Sequence, residues 1–337
     1  MQPRLRISAA IALIVGLFAA VQLGALALVG PFEAAGFQSV ENPQDPTNSL
    51  LYLAILLVAT ALMLVAMKYG GDNVIRLVLI LTSGLIASYV FAVTLPPLAL
   101  GGLNVSPWLG ATAIVVALFA YPEWWVIDTT GVIMGIGAAG IFGISFGVLP
   151  AILLLAVLAV YDAISVYGTE HMLTLASGVM DMKVPVLFVV PTTLGYSFLE
   201  DDAGMAATGA EPPDDAADEP TAAPPADQAT DAVETDDDGL ERDALFIGLG
   251  DAVMPAILTA SAAFFLQTPT VYGIEYPALG ALLGTLVGLL ILLRMVLQGR
   301  AHAGLPLLNG GAIAGYILGA TVVGVPLVEA LGLTPYL

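Results

Sequence analysis

The chain contains no cysteine, which excludes a disulfide framework, a thiolate nucleophile and any cysteine-based metal site. Only 11% of its residues are charged, and the eight Lys and Arg residues form no basic patch for nucleic acid. The two histidines, His171 and His302, stand apart from any ligand cluster, so both are read as interfacial and neither a metal nor another cofactor is implied. No repeat at a solenoid period is present. What the chain does have is apolar surface: 58% hydrophobic residues and a mean hydropathy of +0.94 belong to a polytopic membrane protein, not to a soluble domain.

The formal net charge of -20 is concentrated in one place. Residues 199–243 hold 16 of the 28 acids and one of the eight bases; elsewhere 12 acids face 7 bases, a net of -5. Built from Asp, Glu, Ala, Pro and Thr, this segment is expected to be a disordered, solvated linker. So many exposed carboxylates against two lysines point to the salt-rich cytoplasm of a halophilic microbe. An intact fold at low salt would count against that origin.

About 20 apolar residues cross the hydrocarbon core of a bilayer. With Pro, Gly and polar clusters taken as breaks, the sequence predicts nine spans: 7–29, 50–68, 74–96, 107–121, 125–146, 148–168, 244–266, 277–297 and 306–328. The run from Ile7 to Val29, behind Arg4 and Arg6, is too long for the apolar region of a secretory signal and has no clear cleavage site before Pro31. Tyr121, Pro122 and Glu123 separate the fourth span from the fifth, and Trp124 and Trp125 resemble interfacial anchors.

Alternating spans put Arg4, Arg6, Lys68, Arg76, Lys183, Arg242, Arg294 and Arg300 on one side, which the positive-inside rule makes cytoplasmic. The N-terminus is then inside, the C-terminus outside and the acidic linker cytoplasmic. The expected fold is an all-α, multi-pass protein of the cell membrane in four regions. Residues 1–146 carry spans one to five, 147–198 the sixth span with its cytoplasmic extension, 199–243 the linker, and 244–337 spans seven to nine.

Two aspartates, Asp162 and Asp251, interrupt this apolar pattern. A carboxylate in a transmembrane helix costs roughly 2.5 to 3.5 kcal/mol on insertion scales, so two at one level signal a working pair. Counting from the cytoplasmic ends of spans six and seven places both roughly 9 to 11 Å into the membrane, on adjacent antiparallel helices. Such carboxylates could share one water.

Asp162 stands in Val160-Tyr161-Asp162-Ala163 and Asp251 closes Gly248-Leu249-Gly250-Asp251. With a Leu-Pro-containing ninth span, this order resembles the presenilin and signal peptide peptidase family of intramembrane aspartyl proteases, over essentially the whole chain. The run from Tyr167 to Met172 and on to Pro185 and Pro191 is more similar to the signal peptide peptidase branch, whereas the long cytoplasmic loop is similar to presenilin.

The resemblance implies a presenilin-like fold, catalytic roles for Asp162 and Asp251, and substrates that are transmembrane peptides or proteins in the bilayer, such as remnant signal peptides. Homo-oligomers are a further expectation. The family's Pro-Ala-Leu motif is incomplete: the chain reads Ala303-Gly304-Leu305-Pro306-Leu307, without the first proline and the alanine. A role in shaping the active site is carried over to Leu305 and Pro306, with Leu307 beside them. Proline in a first helical turn also has a structural reason, since its missing N–H would be unsatisfied there anyway.

The chemistry of the residues agrees. Two carboxylates a few ångströms apart in a low-dielectric site share a proton and titrate as a pair. The ionised member takes a proton from a trapped water that attacks a peptide carbonyl, and the protonated member donates to the developing oxyanion, giving a tetrahedral diol. Gly248 and Gly250 flank Leu249 and let backbone or substrate approach Asp251, with ordinary helix packing as the alternative reading. Tyr161 either supports the pair through its hydroxyl or packs by its ring.

Residues 184–190, Val-Pro-Val-Leu-Phe-Val-Val before Pro191, have strand character. They are expected to offer an edge on which an unwound substrate pairs, or else to form a buried apolar loop. Gly135-Ile136-Gly137-Ala138-Ala139-Gly140 matches the dinucleotide fingerprint but lies inside an apolar span, which excludes that function. Gly280, Gly284 and Gly288, and Gly311, Gly315 and Gly319, recur every four residues and are read as close-packing faces. Asp128 and Glu329, near span ends, are expected at the interface with water. Asn104-Val105-Ser106 is a weak glycosylation sequon on the outer side.

A different class of function, a proton-coupled transporter or ion conduit, also uses buried acids. It commonly brings internal inverted repeats, which are not evident here. A scaffold would not explain two acids at one depth, and prepilin-type peptidases share only Gly-x-Gly-Asp. Cleavage of the linker by the enzyme itself is compatible with the presenilin resemblance.

Overall fold

The apolar runs fold as helices where Pro, Gly and polar residues interrupt them. This computed structural model describes residues 3–168, 184–192, 196–197, 244–298 and 303–336. The acidic segment 199–243, both histidines, Lys183, Arg242, Arg300 and the run 169–172 lie outside the described residues.

The helices are α1 (Pro3–Ala34), α2 (Thr47–Lys68), α3 (Asp72–Thr94), α4 (Ser106–Ala120), α5 (Trp124–Ser145), α6 (Val148–Gly168), α7 (Leu249–Phe265), α8 (Tyr276–Val296), α9 (Gly304–Val322) and a single turn, α10 (Leu327–Ala330). Among the described residues seven are long and apolar enough to cross a membrane, while α4 and α7 are apolar but shorter. Pro96 disfavours helical geometry at Leu95, so α3 stops at Thr94, two residues before the expected end. Gly324, with φ +78°, follows the end of α9 at Val322, and of the expected ninth span only Leu327 and Val328 return to helix, in α10.

The fold is mostly helical rather than all-α. Among the described residues three antiparallel ribbons interrupt the helices: β1 (Ala99–Leu100) with β2 (Leu103–Asn104), β3 (Leu187–Pro191) with β4 (Ala244–Gly248), and β5 (Thr270–Val271) with β6 (Ile274–Glu275). The β3–β4 ribbon corrects the expected span 244–266. Its first five residues are strand, because β3 supplies backbone partners from Leu187↔Gly248 to Pro191↔Ala244. Asp251 therefore sits in the first turn of α7. The depth obtained by counting helical rise does not hold for it, since strand advances about 3.3 Å per residue against 1.5 Å.

Helix α7 is central, with an unbroken buried run from Pro255 to Ala262. Small residues permit this: Gly143 of α5 faces Ala260 of α7 directly. Polar bonds add specific joints, from Thr259 Oγ1 to Gln22 Oε1 of α1 (2.8 Å) and from Ser261 Oγ to the Phe146 carbonyl (2.7 Å). Gly280, Gly284 and Gly288 of α8 lie against the backbone of α9 at Gly315, Gly311 and Leu307, as the four-residue spacing predicts. The fingerprint-like glycines of α5 are likewise packing sites: Gly137 meets Ile86 and Val90 of α3, and Gly140 meets the Phe32 ring of α1.

Candidate active site

The first turn of α9 gathers the two aspartates. Pro306 suits this turn because its missing N–H is one that an α-helix leaves unbonded. Leu305, one position earlier, has its N–H free of the helix and donates it to Asp162 Oδ2 at 3.0 Å. A Cβ on Gly304 would lie 3.3 Å from Asp251 Oδ2 and 3.8 Å from its Cγ. Adjacent residues of α9 thus lie against one carboxylate each. A helix N-terminus carries a partial positive charge, which favours anionic groups gathered there.

Each aspartate reaches this point from a different element. Asp162 projects from α6, six residues before its end, and is 6% exposed. Asn309 fixes α6 against α9 one turn beyond Leu305, donating its Nδ2 to the Leu155 carbonyl at 3.0 Å. Asp251 is delivered by the passage from β4 into α7. Leu249 N–H donates to the Val186 carbonyl (2.9 Å), extending the ribbon to the residue that opens the helix.

The other expected site residues fall into different surroundings. A Cβ on Gly248 would come 3.6 Å from Asp251 Oδ2, so this glycine borders the Asp251 carboxyl, whereas Gly250 faces open space. Leu249 is buried, its δ-methyl directed at Gly131 and Gly135 of α5. Tyr161 is 39% exposed, and its hydroxyl makes no hydrogen bond among the described residues. Leu305 and Pro306 are half-buried, and the Leu307 carbonyl packs on Gly288 of α8.

Two features were not anticipated. Gly304 borders Asp251; the only sign in the sequence was its place beside Leu305 in the incomplete motif. Asp128 is not interfacial: it is 5% exposed and accepts the Val189 N–H at 2.7 Å. Glu123 is also buried and accepts from Ser197 Oγ at 2.6 Å. Glu329 is exposed. Among the described residues no cluster of metal-ligating side chains occurs.

Comparison with known proteins places this geometry. No curated protein matches the chain. The family model described as "Signal-peptide peptidase, presenilin aspartyl protease" matches residues 15–325. Two solved structures of a presenilin family intramembrane aspartate protease are similar to it. The one in space group C222 is 32% identical, with a TM-score of 0.61, over 93% of this chain and 99% of that one. The one in space group P2 is 33% identical, with a TM-score of 0.58, over 91% and 96%. These matches favour a peptide hydrolase over a transporter. A family match over most of the length, on a multi-pass helical chain whose two intramembrane aspartates meet at one helix end, has one consequence: the chain belongs to the signal-peptide peptidase and presenilin family of intramembrane aspartyl proteases.

Proposed function

We propose that Asp162 and Asp251 are the catalytic carboxylates and that the enzyme cuts transmembrane segments, remnant signal peptides among them, by activating a water between the two. The convergence of both side chains on Gly304 and Leu305 carries this reading. A water held between them loses a proton to the ionised carboxylate as its oxygen attacks the scissile carbonyl. The protonated carboxylate donates to the carbonyl oxygen, so a gem-diol forms without a covalent enzyme intermediate. Collapse of the diol returns a proton to the leaving amine and restores the pair. The side chains next to Asp251 are kept small by Gly248 and Gly304, which leaves room for a substrate backbone at the reacting carboxyl.

The substrate must present an extended segment, and the β3–β4 ribbon supports where it does so. One edge of β3 bonds β4, and its other edge is occupied at Val189 by Asp128. Substrate pairing therefore belongs to the β4 side, beside Gly248 and Asp251, rather than to 184–190 itself. The membrane orientation that fits is nine spans with the N-terminus and acidic linker cytoplasmic and the C-terminus outside, as the eight basic residues require.

The deciding experiment is cleavage of a labelled transmembrane peptide by the full-length protein in bilayers, with Asp162→Ala and Asp251→Ala alongside and products identified by mass. Internal cuts lost in both variants support the assignment. Cuts retained in either would remove that residue from the chemistry, and a folded wild-type protein that cleaves nothing while conducting ions would restore transport.

A further inference from the structure

Asp128, the fifth residue of α5, accepts the Val189 N–H across 61 positions of sequence. The bond lies on the edge of β3 away from β4. Successive residues of a strand direct their backbone groups to alternate edges; the Val186 carbonyl faces β4, where it accepts from Leu249, so the Val189 N–H, an odd number of residues on, faces α5. The same helix face continues through Gly131 and Gly135, spaced to lie beneath Asp128. A Cβ on Gly131 would sit 3.0 Å from the Phe188 ring, and one on Gly135 3.5 Å from Leu249 Cδ1. This face of α5 thus offers a carboxylate and then a glycine groove to β3 and to the residue that opens α7.

An apolar side chain would serve packing better. Asp128 is buried within a membrane helix, and its second oxygen, Oδ2, has no hydrogen-bond partner among the described residues. A half-satisfied buried carboxylate is costly and requires a specific compensating role. The bond to Val189 supplies one. A slip of β3 by one residue would turn that amide toward β4 and exchange the faces of Phe188 and Val189. The ladder would carry the slip through Leu187↔Gly248 to Asp251, three residues further on.

We propose that Asp128 is a positioning residue for proteolysis: by pinning the Val189 N–H to α5 it sets the register of the β3–β4 ribbon and hence the place of Asp251 relative to Asp162. This rests on the assignment of Asp251 as catalytic. The carboxylate acts through the ribbon and touches no reacting atom.

The test compares Asp128→Leu and Asp128→Asn in the full-length enzyme. Rates are normalised to the monodisperse fraction with wild-type helical content, so loss of folded protein does not count. Asparagine keeps an acceptor oxygen and leucine does not. The expected result is a kcat lowered about tenfold or more in Asp128→Leu, as ångström-scale misplacement of a catalytic group produces, with cuts spread over additional bonds. Asp128→Asn should recover both the rate and the single cut pattern. A normalised rate and cut pattern unchanged in Asp128→Leu would overturn the proposal, as would an Asp128→Asn enzyme no better than the leucine variant.

Should Asp128→Leu fail to fold, Val189→Pro removes the same donor without removing a β3–β4 ladder bond. A broadened cut pattern there supports the proposal and a wild-type pattern overturns it. Asp251→Ala is run in parallel: persistent cleavage in it overturns the catalytic assignment, whereas its loss beside an unaltered Asp128→Leu overturns the positioning role alone.

Discussion

Leu305 donates its backbone N–H to Asp162 Oδ2 at 3.0 Å, joining the start of α9 to a helix 143 positions earlier in the chain. Asp162 therefore has a structural duty besides the chemical one proposed for it, and the two separate by substitution. Asparagine at position 162 keeps an acceptor for Leu305 but has no proton to exchange. Asp162→Asn should melt close to wild type, within about 1 kcal/mol, the usual net worth of one hydrogen bond. Its cleavage rate should fall on the order of 10²- to 10⁴-fold, as for loss of an acid–base group. Asp162→Leu should lose both the activity and part of the stability. Thermal melts beside product analysis distinguish the two, and an active asparagine variant would contradict the mechanism.

Gly304 gives the second prediction. The nearest atoms to an alanine Cβ there are Asp251 Oδ2 at 3.3 Å and Leu292 Cδ2 at 3.4 Å, both ends of movable side chains. Gly304→Ala, which installs the residue of the family motif, should fold normally and cut within about threefold of wild type, because a few tenths of an ångström of adjustment suffice. Gly304→Val adds two methyl groups at the carboxyl and should lower kcat about a hundredfold. Equal activity in both variants would show that this position does not border the reacting groups.

The existence of these elements was legible in the sequence because long apolar runs and their Pro and Gly breaks are local signals. Asp162 and Asp251 stood out because charge inside such runs is costly, whatever the tertiary arrangement. The opening of α7 was not legible. Ala244 to Gly248 read as the apolar start of a span, and only the pairing with β3, more than 50 residues away, makes them strand. Asp128 was misread for a similar reason: three residues from a span end, it looked accessible to water, and burial by β3 is a tertiary fact. Gly304 had no signal of its own, since one glycine at a helix start is common.

The glycine face between α8 and α9 gives a paired test of packing. A Cβ on Gly284 would run into the Gly311 carbonyl, a backbone atom that moves only with its helix, whereas one on Gly310 meets nothing within 4 Å. Gly284→Ala should cost about 1 to 3 kcal/mol, the range for overpacking, and lower the melting temperature. Gly310→Ala, in the same helix as Gly311, should be neutral or stabilise by roughly 0.5 to 1 kcal/mol through reduced backbone entropy. Because α9 holds both carboxylates at its first turn, Gly284→Ala should also lose activity. A melting temperature unchanged by it would mean the two helices do not approach so closely.

Strand pairing on the β4 side makes a prediction about substrate rather than enzyme. N-methylation of alternate amides in the segment beyond the scissile bond removes donors on one edge only. Methylation in one phase should lower cleavage about tenfold, since each lost bond to an extended partner is worth roughly 0.5 to 1.5 kcal/mol, and methylation in the other phase should do little. Equal effects in both phases would argue for general steric hindrance instead of a ladder.

The acidic linker yields the last prediction. β3 and β4 end on the partners Pro191 and Ala244, so the chain leaves and re-enters the ribbon at neighbouring points, and no long connection is needed to join them. Replacing residues 199–243 with about six Gly and Ser residues shortens the closed loop roughly fourfold, which favours ribbon closure by about 1.2 kcal/mol. It also takes the formal charge from -20 to -5. Cleavage should persist within about threefold, with no requirement for a cut inside the linker, and a salt requirement due to self-repulsion of the linker should diminish. A folded but inactive variant would instead make the linker, or its processing, part of activation, and full-length wild-type protein recovered from active preparations would then decide between those two roles.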